Sequence, residues 1–195
     1  MTLKRLPCKP AGALLAPGAG SGREHPTLCA VDSAFEARDV PVLRIDFPYR
    51  LAGRRAPDRP AVLIETVRAA AAGFADQLNV GTERLILGGR SMGGRICSLS
   101  VALGLPCAGL LLVSYPLHPP GRPERLRTEH FGQIDVPCLF ISGDRDAFGS
   151  PSELEAATVS ITGPVDHVWI PGADHSLRSR DAEVAAIAAS WLPDV

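Results

Sequence analysis

The run Arg84-Leu-Ile-Leu-Gly-Gly-Arg-Ser-Met-Gly-Gly-Arg-Ile-Cys-Ser-Leu-Ser-Val-Ala-Leu-Gly104 decides the fold. Leu85 to Leu87 is a short apolar run of the kind a buried strand shows, and from Met92 onward small and apolar residues predict a helix. Between them, Gly89-Arg90-Ser91-Met92-Gly93 fits the G-x-S-x-G nucleophile elbow. A strand that turns sharply into a helix forces its serine into a strained backbone, and side chains two residues either side would collide with neighbouring backbone. Glycine at both places removes that collision. Ser91 Oγ is then expected to stand above the sheet, with the helix N-terminus offering N–H groups to a developing oxyanion. The competing reading is a glycine-rich turn that binds nothing or cradles a phosphate. The stretch lacks the Gly-Lys-Ser/Thr ending of a P-loop and the spacing of a dinucleotide fingerprint.

Outward from this centre, apolar segments alternate with helical ones. Ala13 to Ala16 reads as a strand running into the loop Pro17-Gly18-Ala19-Gly20-Ser21-Gly22, where a backbone can approach a ligand. Leu28, Val31, Ala34 and Phe35 recur at helical spacing within Thr27 to Ala37. Val40 to Phe47 suits a buried strand ending at Pro48, and Tyr49 to Pro60 reads as an exposed loop. From Ala61 to Leu78 one apolar stripe predicts an amphipathic helix. Beyond the elbow helix, strands are expected over Ala108 to Tyr115, Val136 to Ser142 and His167 to Ile170. Helices are expected over Pro151 to Ser160, with Ser150 as N-cap, and over Asp181 to Leu192.

Strands apolar throughout and separated by helices predict a parallel sheet covered on both faces: an α/β, three-layer α/β/α sandwich of about six strands. Ligands bind such sheets at the carboxyl ends of the strands, where Gly18 to Gly22, Ser91, Tyr115, Asp146 and His175 all fall. With 195 residues, 46% of them hydrophobic, the chain is expected to form a single domain, 1–195. A net charge of -1 gives no reason to expect a nucleic-acid or membrane partner. Five cysteines without C-x-x-C spacing predict reduced, mostly buried thiols. The basic N-terminal lead is followed by no secretory apolar run, and no stretch approaches a membrane span, so a cytoplasmic location is expected.

A serine hydroxyl is a weak nucleophile until a histidine takes its proton, and that histidine needs a carboxylate to fix its tautomer. Gly143-Asp144-Arg145-Asp146 follows one strand, and Pro171-Gly172-Ala173-Asp174-His175-Ser176 follows the last. The order serine, acid, histidine is that of the α/β-hydrolases. Asp is also a common turn cap, which is the competing reading of Asp144 and Asp146. Asp174, next to His175, is expected to face solvent. His25, His118, His130 and His167 show no ligand spacing with one another or with the cysteines, and no metal site is expected.

With these residues in place the chain resembles a compact α/β-hydrolase of the dienelactone-hydrolase-like type, close to the small bacterial proteins grouped with the testis-expressed α/β-hydrolase-like proteins. The resemblance rests on Ala16-Pro17-Gly18-Ala19-Gly20, Asp46-Phe47-Pro48-Tyr49, Gly89 to Gly94, Ser114-Tyr115-Pro116-Leu117-His118, Gly143 to Asp146 and Gly172 to His175. It implies Ser91 as nucleophile, His175 as general base and Asp146, fourth residue of its Gly-x-x-Asp turn, as the orienting acid. It implies the N–H groups of Ala19 and Met92 as oxyanion donors. Many relatives carry His-Gly where this chain has Pro17-Gly18, which bears on loop geometry. Larger relatives insert a helical cap after the strand that ends near Tyr115. Here Pro116 to Asp135 is too short for a full lid, so an open cleft is expected. Within and beside that segment Tyr115, His118 and Arg125 are candidates to meet substrate. Arg122, Arg125, Arg127 and His130 read either as a solvated loop or as a basic set facing an acidic substrate.

The expected function is a serine hydrolase acting on a carboxylic ester or thioester, with a small-molecule acyl substrate, no cofactor, and a monomeric or homodimeric state. A non-catalytic member of the fold used for binding or scaffolding is the alternative. Cys97, inside the elbow helix rather than at its tip, is a poorer nucleophile candidate.

Overall fold

A computed structural model describes residues 3–193. Six strands, β1 (Gly12–Ala16), β2 (Val42–Arg44), β3 (Leu85–Arg90), β4 (Gly109–Val113), β5 (Cys138–Gly143) and β6 (Val165–Ile170), form one sheet in the order β2-β1-β3-β4-β5-β6. Every pairing is parallel. The helices are α1 (Pro26–Glu36), α2 (Pro48–Leu51), α3 (Pro60–Gln77), α4 (Met92–Ala102), α5 (Pro151–Thr158) and α6 (Asp181–Ser190).

Strand residues alternate faces, so a sheet covered on both sides must be apolar at odd and even positions alike. Ala13, Leu15, Ile86, Leu111, Val113, Leu139 and Ile141 pack with Leu28, Val31 and Phe35 of α1 and Val184 and Ala188 of α6. The intervening Leu14, Ala16, Leu85, Leu87, Leu110, Leu112 and Phe140 pack with Leu63, Val67 and Phe74 of α3, Ile96 and Val101 of α4 and Leu154 of α5. This is the three-layer arrangement the apolar runs predict. The five cysteines are free thiols, and Cys97, Cys107 and Cys138 are buried. No helix among the described residues is long and apolar enough to cross a membrane.

The sheet's edges depart from the sequence expectation. The strand expected over Val40 to Phe47 pairs only at Val42 to Arg44, because it has one neighbour and lies between Pro41 and Pro48. Pro48 instead starts α2 within the expected loop, with Pro at its first turn. At the other edge β6 begins two residues earlier than its apolar run, at Val165. Ser150 precedes α5 as expected, and both its N–H and its hydroxyl donate to the Glu153 carboxylate, at 2.9 and 2.6 Å.

The chain leaves β1 toward β2 and returns to β3 on the opposite side of β1. Between β1 and β3 the connections therefore diverge, and a crevice opens at the carboxyl ends of these strands. The loop after β1 and the turn after β3 border that crevice.

Candidate active site

Ser91 caps α4 with φ 50° and ψ -118°, a conformation that non-glycine residues seldom adopt. The surrounding structure holds it there. Ser91 N–H donates to the Val113 carbonyl of β4 at 2.8 Å. A Cβ at either Gly89 or Gly93 would collide with the Ala16 carbonyl of β1. The elbow thus lies against β1 so closely that only glycine fits on both sides of the serine, which is the physical content of the sequence pattern.

Two further turns reach the same place. The turn after β5 is pulled against the turn after β6: Arg145 N–H donates to Ala173 O at 3.0 Å, and Gly172 N–H to Asp144 Oδ1 at 2.7 Å. A Cβ on Gly143 would strike the Ala173 carbonyl, so glycine permits this approach. It brings Asp146 to His175. Their contacts measure 2.8 Å from Nδ1 to Oδ2 and 3.0 Å to Oδ1. Asp146 Oδ1 also accepts the Phe148 N–H at 2.8 Å. The Asp146 side chain is 1% exposed and that of His175 18%. On its far side, His175 Nε2 lies 2.9 Å from Ser91 Oγ.

The tautomer follows from the partners. A carboxylate only accepts hydrogen bonds, so Nδ1 carries the proton and Nε2 of the neutral ring is left as acceptor for the Ser91 hydroxyl. Such a line can take a proton from the serine oxygen and hold the resulting imidazolium beside a buried negative charge. The ring itself is clamped. Phe148 stacks on it with centroids 4.0 Å apart and planes 27° from parallel. Arg90 Nη2 donates to the His175 carbonyl at 2.8 Å, joining the elbow to the histidine turn. Burial pulls the Arg90 guanidinium below its ordinary range, against the pull of Asp146, Asp181 and Asp174.

Ala19, Arg90, Ser91, Met92, Arg95, Pro116, Arg127, Phe148 and His175 line a cleft of about 410 Å³. Ala19 lies in the turn Gly18 to Ser21, where Ser21 N–H and Oγ–H donate to Gly18 O at 3.2 and 3.0 Å. Among the described residues neither the Ala19 nor the Met92 N–H is matched to a protein acceptor. Met92 is also the first residue of α4, so its N–H adds the helix dipole.

Other sequence candidates lie elsewhere. Asp144 is exposed and caps the Gly172 N–H, and Asp174 is exposed and closes its own turn onto the Ser176 N–H and hydroxyl at 2.9 and 2.6 Å. Tyr115 does not line the cleft. It turns beneath α4 onto Phe131 and Phe140, with centroids 5.5 and 5.7 Å away, and its hydroxyl donates to Arg127 O at 3.2 Å. Burial pushes its phenol well up. His118 is also buried. Its Nδ1–H donates to Pro119 O at 2.8 Å, and its backbone N–H donates to Phe148 O at 3.0 Å. It ties together the segments that follow β4 and β5. Arg125 is exposed and outside the cleft wall, where Arg127 stands instead. Cys97 is fully buried and its thiol donates to Gly88 O at 3.2 Å; burial pushes it far from thiolate formation. Sequence reasoning did not single out Phe148 or Pro116 as cleft residues. An aromatic two residues after Asp146, in a chain only 5% aromatic, was the available signal for Phe148.

Residues 9–191 match the family described as Alpha/beta hydrolase domain. Among solved structures, an alpha-beta serine hydrolase homologue from Coxiella burnetii is similar at a TM-score of 0.76 and 17% identity, covering 97% of this chain and 89% of that one. Est1E from Butyrivibrio proteoclasticus is similar at a TM-score of 0.73 and 17% identity, covering 97% and 89%. Dienelactone hydrolase from Anabaena variabilis is similar at a TM-score of 0.72 and 20% identity, covering 96% and 87%. Identities this low speak for a shared fold. With nearly its whole length matched by the family, the chain belongs to the alpha/beta hydrolases.

Proposed function

We propose that this hydrolase is a serine esterase or thioesterase with Ser91 as nucleophile, His175 as general base and Asp146 as the acid that orients it. The observation that carries the proposal is the continuous contact from Asp146 Oδ2 through His175 to Ser91 Oγ, 2.8 and 2.9 Å, opening on a cleft beside two unmatched N–H groups. His175 Nε2 takes the Ser91 proton as Oγ bonds to the acyl carbon, and the carbonyl electron pair moves onto oxygen. The Ala19 and Met92 N–H groups receive that oxyanion. Its collapse breaks the bond to the leaving alcohol or thiol, which takes the proton from His175. Water then repeats the sequence on the acyl-enzyme, releasing the acid and restoring Ser91. The substrate is a small acyl compound that enters directly, because the segment from Pro116 to Ile134 carries only one short 3₁₀ turn, Phe131–Gln133. The finer affiliation with the branch of the testis-expressed α/β-hydrolase-like proteins rests on Asp46-Phe47-Pro48-Tyr49 and Ser114 to His118 and belongs to the same proposal.

The test is labelling by a fluorophosphonate at neutral pH, with the modified residue read by mass. Label on Ser91 that vanishes in Ser91→Ala and His175→Ala supports the mechanism. Folded wild-type protein that takes no label overturns it, and a binding or scaffolding role then becomes the working view.

A further inference from the structure

Three arginines line the cleft, and no carboxylate lies within ion-pairing distance of any of them among the described residues. Arg90 is partly engaged by the His175 carbonyl, and Arg127 Nη1 reaches the Pro116 carbonyl at a long 3.3 Å. The Arg95 guanidinium has no acceptor at all among the described residues. Among the described residues, the buried guanidinium nitrogens without a partner are Arg90 Nε and Arg95 Nε. Outside the cleft some arginines meet carboxylates, as Arg44 Nε does 2.7 Å from Asp32 and Arg54 Nη2 2.7 Å from Asp58, while Arg68 reaches the Ser100 and Leu103 carbonyls. Leaving half-buried guanidiniums unmatched is costly, and placing two of the same charge on one wall adds repulsion. Arg127 registers both effects, since burial and then the neighbouring Arg95 weaken its hold on its proton. An anion arriving from outside would supply the missing partner.

Arg95 follows Ser91 by four residues, one turn along α4 on the same face. Arg127 comes from the segment after β4, and Pro116 and Phe148 supply apolar wall. The guanidinium fork matches a carboxylate in two parallel hydrogen bonds. We infer that the substrate is a half-ester or half-thioester of a short dicarboxylic acid, its free carboxylate held by Arg95 and Arg127 while its acyl carbon faces Ser91. A cleft of about 410 Å³ accommodates such a molecule. This inference rests on the hydrolase reading for the acyl carbon, but the anion site stands on the arginines alone.

Two measurements separate the two claims. The first compares hydrolysis of 4-nitrophenyl hemiadipate with that of 4-nitrophenyl hexanoate, which has the same chain length without the charge. The second follows adipate binding calorimetrically in Ser91→Ala protein, where no turnover occurs. Wild type is expected to favour the hemiadipate by about tenfold or more in kcat/KM. That preference should shrink by about tenfold in Arg95→Gln and in Arg127→Gln, and adipate should bind each about tenfold more weakly in the Ser91→Ala background. Arg95→Lys, which keeps the charge, should recover part of both, and rising salt should erode them. A wild type that cleaves the hexanoate equally well, or adipate binding that neither glutamine variant weakens, overturns the anion site. If neither ester is cleaved while adipate binds and weakens as described, the hydrolase reading falls and the anion site survives. If adipate does not bind either, both fall.

Discussion

Two serine–histidine pairs lie within two turns of each other on α4, and they differ in everything except distance. Ser91 Oγ is 2.9 Å from His175 Nε2, and Ser98 Oγ is 2.8 Å from His130 Nε2. Behind His175 is the buried Asp146, whereas His130 Nδ1 has no hydrogen-bond partner among the described residues. Ser91 lines the cleft; Ser98 is fully buried, and its hydroxyl already donates to the Arg95 carbonyl at 2.8 Å. With that proton committed, His130 must donate from Nε2, the reverse of the direction inferred for His175. A hydroxyl–imidazole contact is therefore not the mark of a nucleophile. Direction of the proton, a carboxylate behind the ring and an approach for substrate distinguish the two pairs.

Deleting each hydroxyl should separate them most widely. On the proposed mechanism Ser91→Ala lowers kcat for an activated acyl ester by about 10⁶-fold. Ser98→Ala leaves fluorophosphonate labelling of Ser91 intact and instead destabilises the fold by about 1 to 2 kcal/mol, read by urea unfolding. Label that survives Ser91→Ala, or fails in folded Ser98→Ala, would erase the distinction.

The next break converts the first pair into a likeness of the second. In Asp146→Asn the amide oxygen can still accept the Phe148 N–H now held by Oδ1 at 2.8 Å, which turns the NH₂ toward His175. Nδ1 must then accept, and Nε2 presents its proton to Ser91 as His130 does to Ser98. We expect kcat to fall by about 10⁴-fold at neutral pH with thermal stability little changed. Steady-state kinetics beside a melting curve checks it, and a loss below tenfold would remove Asp146 from the mechanism.

A smaller effect should follow from loosening the turns that bring Asp146 and His175 together. Gly143→Ala places a methyl group against the Ala173 carbonyl. Stability should drop by about 2 to 3 kcal/mol and kcat/KM by about 10²-fold. Gly132→Ala, at a site where a Cβ comes no nearer than 3.9 Å to another atom outside its own neighbours, is the control for a tolerated methyl. Urea unfolding and the rate of fluorophosphonate labelling report the two effects, and equal behaviour of the two variants would dismiss the close approach.

The difference between the pairs also bears on what can be read from sequence. The strands were legible because both faces of the sheet are covered, and Leu85 to Leu87 and Leu110 to Val113 are apolar without alternation. The edges were less so, since Val42 to Arg44 and Val165 to Ile170 are only partly buried and pairing on one side decides where they stop. Gly89 and Gly93 announced a close approach in the chain, although not that Ala16 would be the partner, whereas the approach of Gly143 to Ala173 joins two turns and shows only in the structure. Around the cleft, sequence put Tyr115 at the end of its strand and His118 beyond it; β4 stops at Val113, and sequence could not tell which way the two side chains turn. Phe131 and Phe140 draw Tyr115 into the layer under α4, and this depends on residues 16 and 25 positions away. Arg127 could not be told from Arg122 and Arg125 for the same reason: in a segment with little regular structure, no periodicity says which arginine faces inward.

The second pair predicts a pH dependence of its own. Burial first, and the charge of Arg95 second, push His130 from 6.5 down to about 4, with Glu129 pulling weakly the other way. In the unfolded chain the same ring titrates near its ordinary value. Between those two values the unfolded state binds a proton that the folded state refuses, so its favoured population grows as the pH falls. The contribution of His130 to stability is therefore complete above about pH 6.5, declines as acid is added and levels off below about 4. Allowing for some access of water to the ring, the loss across this window should be about 2 kcal/mol. His130→Gln can still donate to Ser98 but does not titrate, and its unfolding free energy should fall less steeply between neutrality and the acid end. His25 and His167, which burial also depresses, are common to both proteins and cancel in the difference. Parallel curves for wild type and His130→Gln would mean that His130 accepts a proton in place, and that a buried ring with no carboxylate behind it is less distinct from His175 than its surroundings imply.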